Sequence, residues 1–130
     1  MPMPTMNQNS IKYLHDKAVR QLVAAHRQRT DDPLVLAVRY KLDDPSGDIH
    51  LLEVLDGFPG GDEDELLVTE FGPSANLIIV GRLHLVLGSP AQVRSALERG
   101  NPIMKAVQCG KVVFDDGGAE AARLRKAAGQ

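Results

Sequence analysis

The sequence predicts a single α+β domain in which a small mixed β-sheet is flanked by helices. Three observations predict this class: one long amphipathic segment comes first, short strand-like runs separated by turn residues follow, and helical segments around one more strand close the chain. Its 130 residues fit one domain, which buries about two-thirds of the surface that the unfolded chain exposes. We assign residues 1–9 to a flexible N-terminal tail and residues 10–130 to the domain.

The first helix is expected to run to about Arg29, with Asn9 or Ser10 as its N-terminal cap. Asp31–Pro33 ends it, because proline cannot continue a helix. Its apolar residues follow helical spacing and form one face, made by Ile11, Leu14, Ala18, Val19, Leu22, Val23 and Ala25.

Two strands joined by a tight turn come next. Leu34–Tyr40 contains β-branched valines, and Asp48–Leu55 is a second apolar run. Asp43–Gly47 lies between them and combines aspartate, proline and glycine, which favour bent backbone, so we expect a β-hairpin. The glycine-rich segment Asp56–Asp62 is expected to be a mobile loop. Its three glycines are only a weak signal for a phosphate-binding loop, because no Gly-Lys-Ser/Thr follows and a strand comes next instead of a helix.

Three further strand-like runs follow this loop. They are Leu66–Phe71, Leu77–Val80 and Leu83–Leu87, and a turn at Gly81 and Arg82 makes the last two a candidate hairpin. The last third of the chain is then predicted to contain one short strand, Val112–Phe114. Two helices precede it, Pro90–Arg99 and Pro102–Gln108, and one follows it, Ala119–Ala128. Each of the first two helices has a capping residue and a proline at its start, and a glycine stops it.

The charge pattern argues against a general nucleic-acid binder. The formal net charge is −2, whereas such proteins usually carry a basic excess. Ten acidic residues and no lysine or arginine lie between Asp43 and Glu70. Such an acidic centre can attract cations or a basic partner, and it is also typical of solvated loops between strands.

The single cysteine, Cys109, excludes a disulfide within the chain, which fits a reducing compartment. Its neighbours Val107 and Val112 predict a partly buried, inert thiol. No apolar run reaches the ~18 residues that a membrane helix needs. Residues 1–9 lack the apolar core of a signal peptide, so we expect a cytoplasmic protein without a membrane association.

Three segments carry a resemblance to a known family. Ser46–Val54 is similar to a Ser-Asp-Ile-Asp-Leu-Leu-Val strand, and Leu83–Leu87 is similar to a later strand, of small nucleotidyltransferases of the DNA polymerase beta superfamily. The closest part is Ser89–Asp116, in which a capped helix, a Gly-Asn-Pro break, a second helix and a strand follow one another. The resemblance covers roughly Asp16 to Lys126.

The resemblance implies a nucleotidyltransferase-like fold and three catalytic carboxylates on strands. Asp48 falls on the first of these positions, His50 on the second and His84 on the third. The Gly-Ser turn that would hold nucleotide phosphates should fall near Leu36 and Ala37, where it is absent. We therefore expect a domain that has lost transfer activity and serves as an interaction or regulatory module, with a protein partner or a homodimer.

Two alternatives stay open. In the first, the chain is an active nucleotidyltransferase in which Asp48 binds a divalent metal together with Glu53 or an acid of segment 62–65. In the second, Asp48, His50 and His84 bind Zn²⁺, Fe²⁺ or Ni²⁺, which accept imidazole ligands more readily than Mg²⁺. Against the second stands a structural role, in which the two histidines hydrogen-bond each other or Asp48. Strand alternation places Glu53 on the opposite face from Asp48 and His50, which makes it a poor ligand.

Overall fold

The computed structural model describes residues 8–28, 32–59, 65–72 and 81–129, which contain four helices and five strands. None of the helices in these ranges is both long enough and apolar enough to cross a membrane. In chain order the elements are α1 (Gln8–Arg27), β1 (Leu34–Tyr40), β2 (Ile49–Leu55), β3 (Leu67–Phe71), β4 (Leu83–Gly88), α2 (Pro90–Glu98), α3 (Pro102–Gln108), β5 (Lys111–Asp115) and α4 (Ala119–Ala127).

The five strands form one open sheet with the order β3-β4-β2-β1-β5. Strands β2 and β4 run parallel, whereas the pairs β1–β2, β1–β5 and β3–β4 are antiparallel. The predicted α+β class, with a small mixed sheet flanked by helices, is confirmed. The hairpin predicted around residues 43–47 is also confirmed, since β1 and β2 are antiparallel neighbours.

Helices cover both faces of the sheet, so its central strands are buried on both sides. Alternate side chains of a strand point to opposite faces, and each face has its own apolar core. On one face, α1 packs against β2 and β4 in a cluster that includes Ala18, Val19, Val23, Ile49, Leu51, Leu55, Leu83 and Leu85. On the other face, α2, α3 and α4 pack in a cluster that includes Leu52, Val54, Val86, Val93, Met104 and Leu124.

The two predicted caps are confirmed. Ser89 Oγ accepts a hydrogen bond from the backbone N–H of Gln92 at 3.1 Å, and Asn101 Oδ1 accepts one from Ile103 N–H at 2.8 Å. Gln92 also accepts from the Ser89 N–H through Oε1 at 2.9 Å, which completes a capping box. These contacts satisfy backbone donors that the first turns of α2 and α3 leave without partners.

Some boundaries differ from the sequence-based ones. Helix α1 begins at Gln8, so Gln8 and Asn9 belong to the helix and not to the tail, and it ends at Arg27. Residues 1–7, the loop residues 60–62 and the predicted strand 77–80 lie outside the described residues.

The expected partial burial of Cys109 is wrong, because this residue is exposed at the C-terminal end of α3. The close contact with the sheet is made by the next residue, Gly110. A Cβ atom on Gly110 would lie 2.6 Å from the backbone oxygen of Arg39 and 2.9 Å from Val38 Cγ1. The turn from α3 to β5 therefore needs glycine at position 110, and the thiol is left on its outer side.

Gly110→Ala is expected to lower the free energy of unfolding by about 1–3 kcal/mol, because the added methyl group overlaps backbone that cannot move freely. Gly72→Ala is the matched control. A Cβ atom there meets no atom of the described residues within 4 Å, so we expect a change below about 0.5 kcal/mol. Urea denaturation of both variants measures the difference, and equal stabilities would contradict the close approach at Gly110.

Candidate functional site

Polar side chains gather where the parallel strands β2 and β4 begin. His50 of β2 and His84 of β4 are direct partners in the parallel register. Directly paired residues on neighbouring strands point to the same face of a sheet, so the two imidazoles lie side by side. We call the group formed by Asp44, Asp48, His50, Glu70 and His84 the histidine–carboxylate cluster.

The two imidazole rings are stacked. Their centroids lie 4.4 Å apart and their planes differ by 6°. Tyr40, which pairs with His50 across β1 and β2, adds a third ring whose centroid lies 5.5 Å from that of His50. Burial raises the pKa of Tyr40 to about 12, so its phenol stays neutral. His50 is nearly buried in this stack, whereas the side chain of His84 is 26% exposed.

Each histidine bonds to its own carboxylate. Nε2 of His84 lies 2.7 Å from Asp48 Oδ2, and Nε2 of His50 lies 2.7 Å from Asp44 Oδ2. Because an ionised carboxylate only accepts hydrogen bonds, both imidazoles donate through Nε2–H. Asp48 Oδ1 accepts a further bond from the backbone N–H of Arg82 at 2.9 Å. Both oxygens of Asp48 are thus engaged within the protein.

These hydrogen bonds favour the ionised form of two carboxyl groups. The pKa of Asp44 lies well below its usual value, chiefly because the Ser46 hydroxyl donates to it at 2.6 Å, with His50 as a second donor. The pKa of Asp48 is lowered by the Arg82 N–H first and by its histidine partner second. Both carboxylates are therefore charged acceptors at neutral pH.

Glu70 forms the exposed rim of the cluster. It is the register partner of His84 across β3 and β4, and its Oε1 lies 3.6 Å from His84 Nδ1. The same oxygen is 3.2 Å from Arg82 Nη1. Both Glu70 and Arg82 are about half-exposed or more, so these pairs contribute little to stability.

The backbone approaches the cluster closely at Gly81. A Cβ atom on Gly81 would lie 2.5 Å from Asp48 Oδ1 and 2.7 Å from the backbone of Gly47. Only a residue without a side chain leaves the Asp48 carboxylate in the position where it reaches the Arg82 N–H.

The structure brings together the three residues predicted as metal ligands, Asp48, His50 and His84. Within the described residues, however, no group of three or more histidine, cysteine or acidic side chains is arranged so that it could hold a metal ion. The Nε2 atoms of the two histidines are directed at separate carboxylates, which are their hydrogen-bond partners. The bond from His84 to Asp48 is one that the structural alternative to a metal site expects, whereas His50 bonds to Asp44, which that alternative did not name.

Glu53 lies away from the cluster, as strand alternation predicts. It is fully buried on the α1 face of β2 and pairs with Nδ1 of His26 on α1. Its Oε1 has no hydrogen-bond partner among the described residues. Since the opposite face of the sheet carries Asp48, Glu53 cannot join it around one metal ion.

The two histidines of α1, His15 and His26, differ in their burial. The side chain of His26 is 22% exposed, whereas His15 is only 5% exposed. His15 precedes the buried residues Ala18 and Val19 by three and four positions, so it lies on the same helix face. Burial lowers the pKa of His15, with nearby Arg39 as a second cause, which favours the neutral imidazole.

Sequence reasoning missed Asp44 as a member of the cluster. It was assigned only to the turn, because aspartate is frequent there. Its role as the partner of His50 depends on how the hairpin connection folds back beside the first residues of β2. The signal in the sequence is the short separation of six residues between this turn aspartate and the histidine.

No protein-family model, no curated protein and no solved structure matches the chain. The function is therefore inferred from the side chains of the histidine–carboxylate cluster and from the resemblance in the sequence.

We expect acid to destabilise the protein through Asp48. Because the pKa of Asp48 is lowered in the folded state, the unfolded chain takes up its proton first as the pH falls through about 4. The contribution of Asp48 to the free energy of unfolding is complete above the pKa of the unfolded chain. It is lost as the pH falls toward the lower pKa that Asp48 has in the folded protein. Asp48→Asn should therefore flatten the dependence of unfolding free energy on pH between about 5 and 2, and lower stability at pH 7 by about 1–3 kcal/mol.

Asp43→Asn is the control for this measurement. Asp43 is exposed and has no side-chain hydrogen bond or ion pair among the described residues, so this variant should keep the wild-type slope. Urea denaturation at each pH gives the slopes. A wild-type slope in Asp48→Asn would contradict the assignment.

Proposed function

We propose that this chain is a nucleotidyltransferase-like domain without transfer activity that serves as an interaction or regulatory module. The observation that carries the proposal is the state of Asp48, the one carboxylate at the three positions where the resemblance implies catalytic carboxylates. Both of its oxygens accept hydrogen bonds, from Arg82 and from His84. The other two positions are His50 and His84.

The chemistry of nucleotidyl transfer explains why these contacts support a role other than catalysis. Mg²⁺ takes oxygen ligands, and a pair of such ions needs several carboxylate oxygens directed at a common point. In the cluster, imidazole N–H groups are directed at the carboxylate oxygens. A metal ion would have to displace these donors from both Asp44 and Asp48 before it could bind.

The edges of the sheet support an interaction role. Among the strands in the described ranges, β3 has β4 as its neighbour on one side and ends the sheet on the other. Three of its apolar side chains are exposed among the described residues, Leu67, Val68 and Phe71, each by about half. Exposed apolar edge strands are liabilities unless something pairs with them or covers them. A protein partner or a second copy of the chain would do so.

The alternative of an active enzyme receives less support. Of its possible additional ligands, Glu53 lies on the other face of the sheet and is paired with His26. Glu65 is exposed, and residues 62–64 lie outside the described residues.

The transition-metal alternative rests on one favourable observation, the adjacency of two imidazoles and a carboxylate. The rings of His50 and His84 lie 4.4 Å apart, and Asp48 contacts one of them. Binding of Zn²⁺ or Ni²⁺ through the Nε2 atoms would require both histidines to give up their carboxylate partners. Binding through the Nδ1 lone pairs would leave the Nε2–H bonds in place, and Asp48 would then orient His84 instead of acting as a ligand.

Thermal unfolding with Mg²⁺–ATP, Mg²⁺–GTP, Mn²⁺–CTP, Zn²⁺, Ni²⁺ and no addition tests the proposal. A ligand at about a hundred times its Kd adds roughly 2.7 kcal/mol, a rise in Tm on the order of 10 °C for a domain of this size. We expect no such rise with any metal–nucleotide pair. A rise that Asp48→Asn abolishes, together with nucleotide transfer to protein or a small molecule, would overturn the proposal.

His50→Ala and His84→Ala distinguish a structural role from a metal site. Each variant loses a hydrogen bond to a carboxylate and a stacked ring, so we expect unfolding free energy to fall by about 1–3 kcal/mol. The loss should be the same with and without Zn²⁺ or Ni²⁺. Metal-dependent stabilisation of the wild type that both variants lack would instead support the metal alternative.

A further inference from the structure

A groove of about 400 Å³ lies between α1 and β5, at the edge of the sheet opposite β3. Its lining has an excess of positive charge. The charged residues there are Arg20 and Arg27 of α1, Arg39 of β1, Lys111 of β5 and one carboxylate, Asp16. This local excess contrasts with the net charge of −2 for the whole chain.

Two of these charges neutralise each other, and the other three have no ion-pair partner among the described residues. Arg39 is nearly buried and donates through Nη1 to Asp16 Oδ1 at 2.6 Å. Arg20, Arg27 and Lys111 are exposed, and none of them forms an ion pair within the described part of the chain. The groove therefore presents three uncompensated cations to solvent.

The floor of the groove is apolar. Val19 and Val23 of α1 and Val113 and Phe114 of β5 line it. The guanidinium carbon of Arg27 lies 4.8 Å from the centroid of the Phe114 ring, so the ring face holds this cation at the rim. A ligand here would combine apolar contact with negative charge.

The groove also reaches the open edge of β5. Within the described ranges, this strand pairs with β1 alone and ends the sheet. Val112 packs against the core on the other face, and it also lines the groove, as do the other three residues of β5 from Lys111 to Phe114. An edge strand presents backbone N–H and C=O groups that another extended chain can pair with.

We infer that this groove binds an extended acidic segment of a partner protein, which adds to β5 as a further strand. The inference rests on the proposed function and names the chemistry of the partner. Arg20 and Arg27 lie seven residues apart on α1, about 10 Å along the helix. Carboxylates at alternate positions of a strand recur every ~6.7 Å, so two or three of them span this distance. Backbone pairing with β5 supplies affinity, and the cations select acidic side chains.

The geometry favours a peptide over a nucleic acid as the occupant. Single-stranded nucleic acids are held by successive aromatic platforms as well as by cations. The groove has one aromatic ring, Phe114, and the guanidinium of Arg27 already covers it. A free strand edge, by contrast, is used by peptides, whose backbone has the matching donors and acceptors.

The test uses a fluorescein-labelled octapeptide of alternating glutamate and valine, with alternating lysine and valine as its counterpart. Fluorescence anisotropy should show the acidic peptide binding at least tenfold more tightly than the basic one. Arg20→Gln and Arg27→Gln should each weaken binding about fivefold, the loss of roughly one exposed charge pair. Arg99→Gln, an exposed arginine beyond the C-terminus of α2, is the matched control and should leave the affinity unchanged. Amide hydrogen exchange should slow at residues 111–115 when the acidic peptide is bound.

Four outcomes would overturn the inference. The first is equal affinity for the two peptides, and the second is an affinity for the acidic peptide that Arg20→Gln and Arg27→Gln leave unchanged. The third is binding of an oligothymidylate that depends on the same arginines and does not slow amide exchange in β5. The fourth is self-association of the wild type that the two variants abolish. The last would identify a second copy of the chain as the occupant.

The failure of this inference is distinguishable from the failure of the proposed function. If the peptide slowed amide exchange in β3 instead of β5, the groove would not be its binding site, and the proposed interaction role would still hold. A rise in Tm with a metal–nucleotide pair that Asp48→Asn abolishes would overturn the proposed function. It would not change the effect of Arg20→Gln and Arg27→Gln on peptide affinity.

Discussion

The parallel pairing of β2 with β4 is the constraint on which the rest of the structure depends. Strand β2 lies between β1 and β4, and all seven of its residues are buried. Its register with β4 sets His50 beside His84, although 33 residues separate them in sequence. Because a shift of one residue would turn every side chain to the other face, the same register also assigns Ile49 and Leu51 to the core under α1.

Helix α1 supplies polar partners for side chains that this packing buries, although one oxygen of Glu53 has no partner among the described residues. Glu53 lies in the middle of β2 with its side chain fully buried, where an unpaired charge costs several kcal/mol. His26 of α1 is its partner, and Asp16 of α1 pairs with Arg39 of β1. Two polar contacts thus fix α1 on the sheet in addition to its apolar face. Removing one partner of such a pair is more damaging than replacing both, because a charge is then left buried.

The polar groups at the start of β2 and β4 hydrogen-bond to one another. The edge strands β3 and β5, by contrast, each have only one neighbouring strand among the described residues. Hydrogen bonds to Ser46, Arg82 and the two histidines satisfy the carboxylates of Asp44 and Asp48. The edges differ in character, since β3 exposes apolar side chains and β5 borders a basic groove. In the proposed interaction role, the histidine–carboxylate cluster stabilises the domain, and the edge strands β3 and β5 contact other protein chains.

Local chemistry in the sequence determined the secondary structure of most of the described chain. The signals were proline and glycine positions, capping residues and apolar periodicity. They predicted β1 and α3 with their observed bounds, and the bounds of the other described elements within a few residues. They succeed because each acts over a few neighbouring positions. Strand alternation likewise placed Glu53 on the face away from Asp48. Only the tertiary structure decided the strand order, the partner of each histidine, the burial of His15 and the exposure of Cys109. These depend on which distant segments pack together, and no local pattern encodes the pairing of β2 with β4 or of His26 with Glu53.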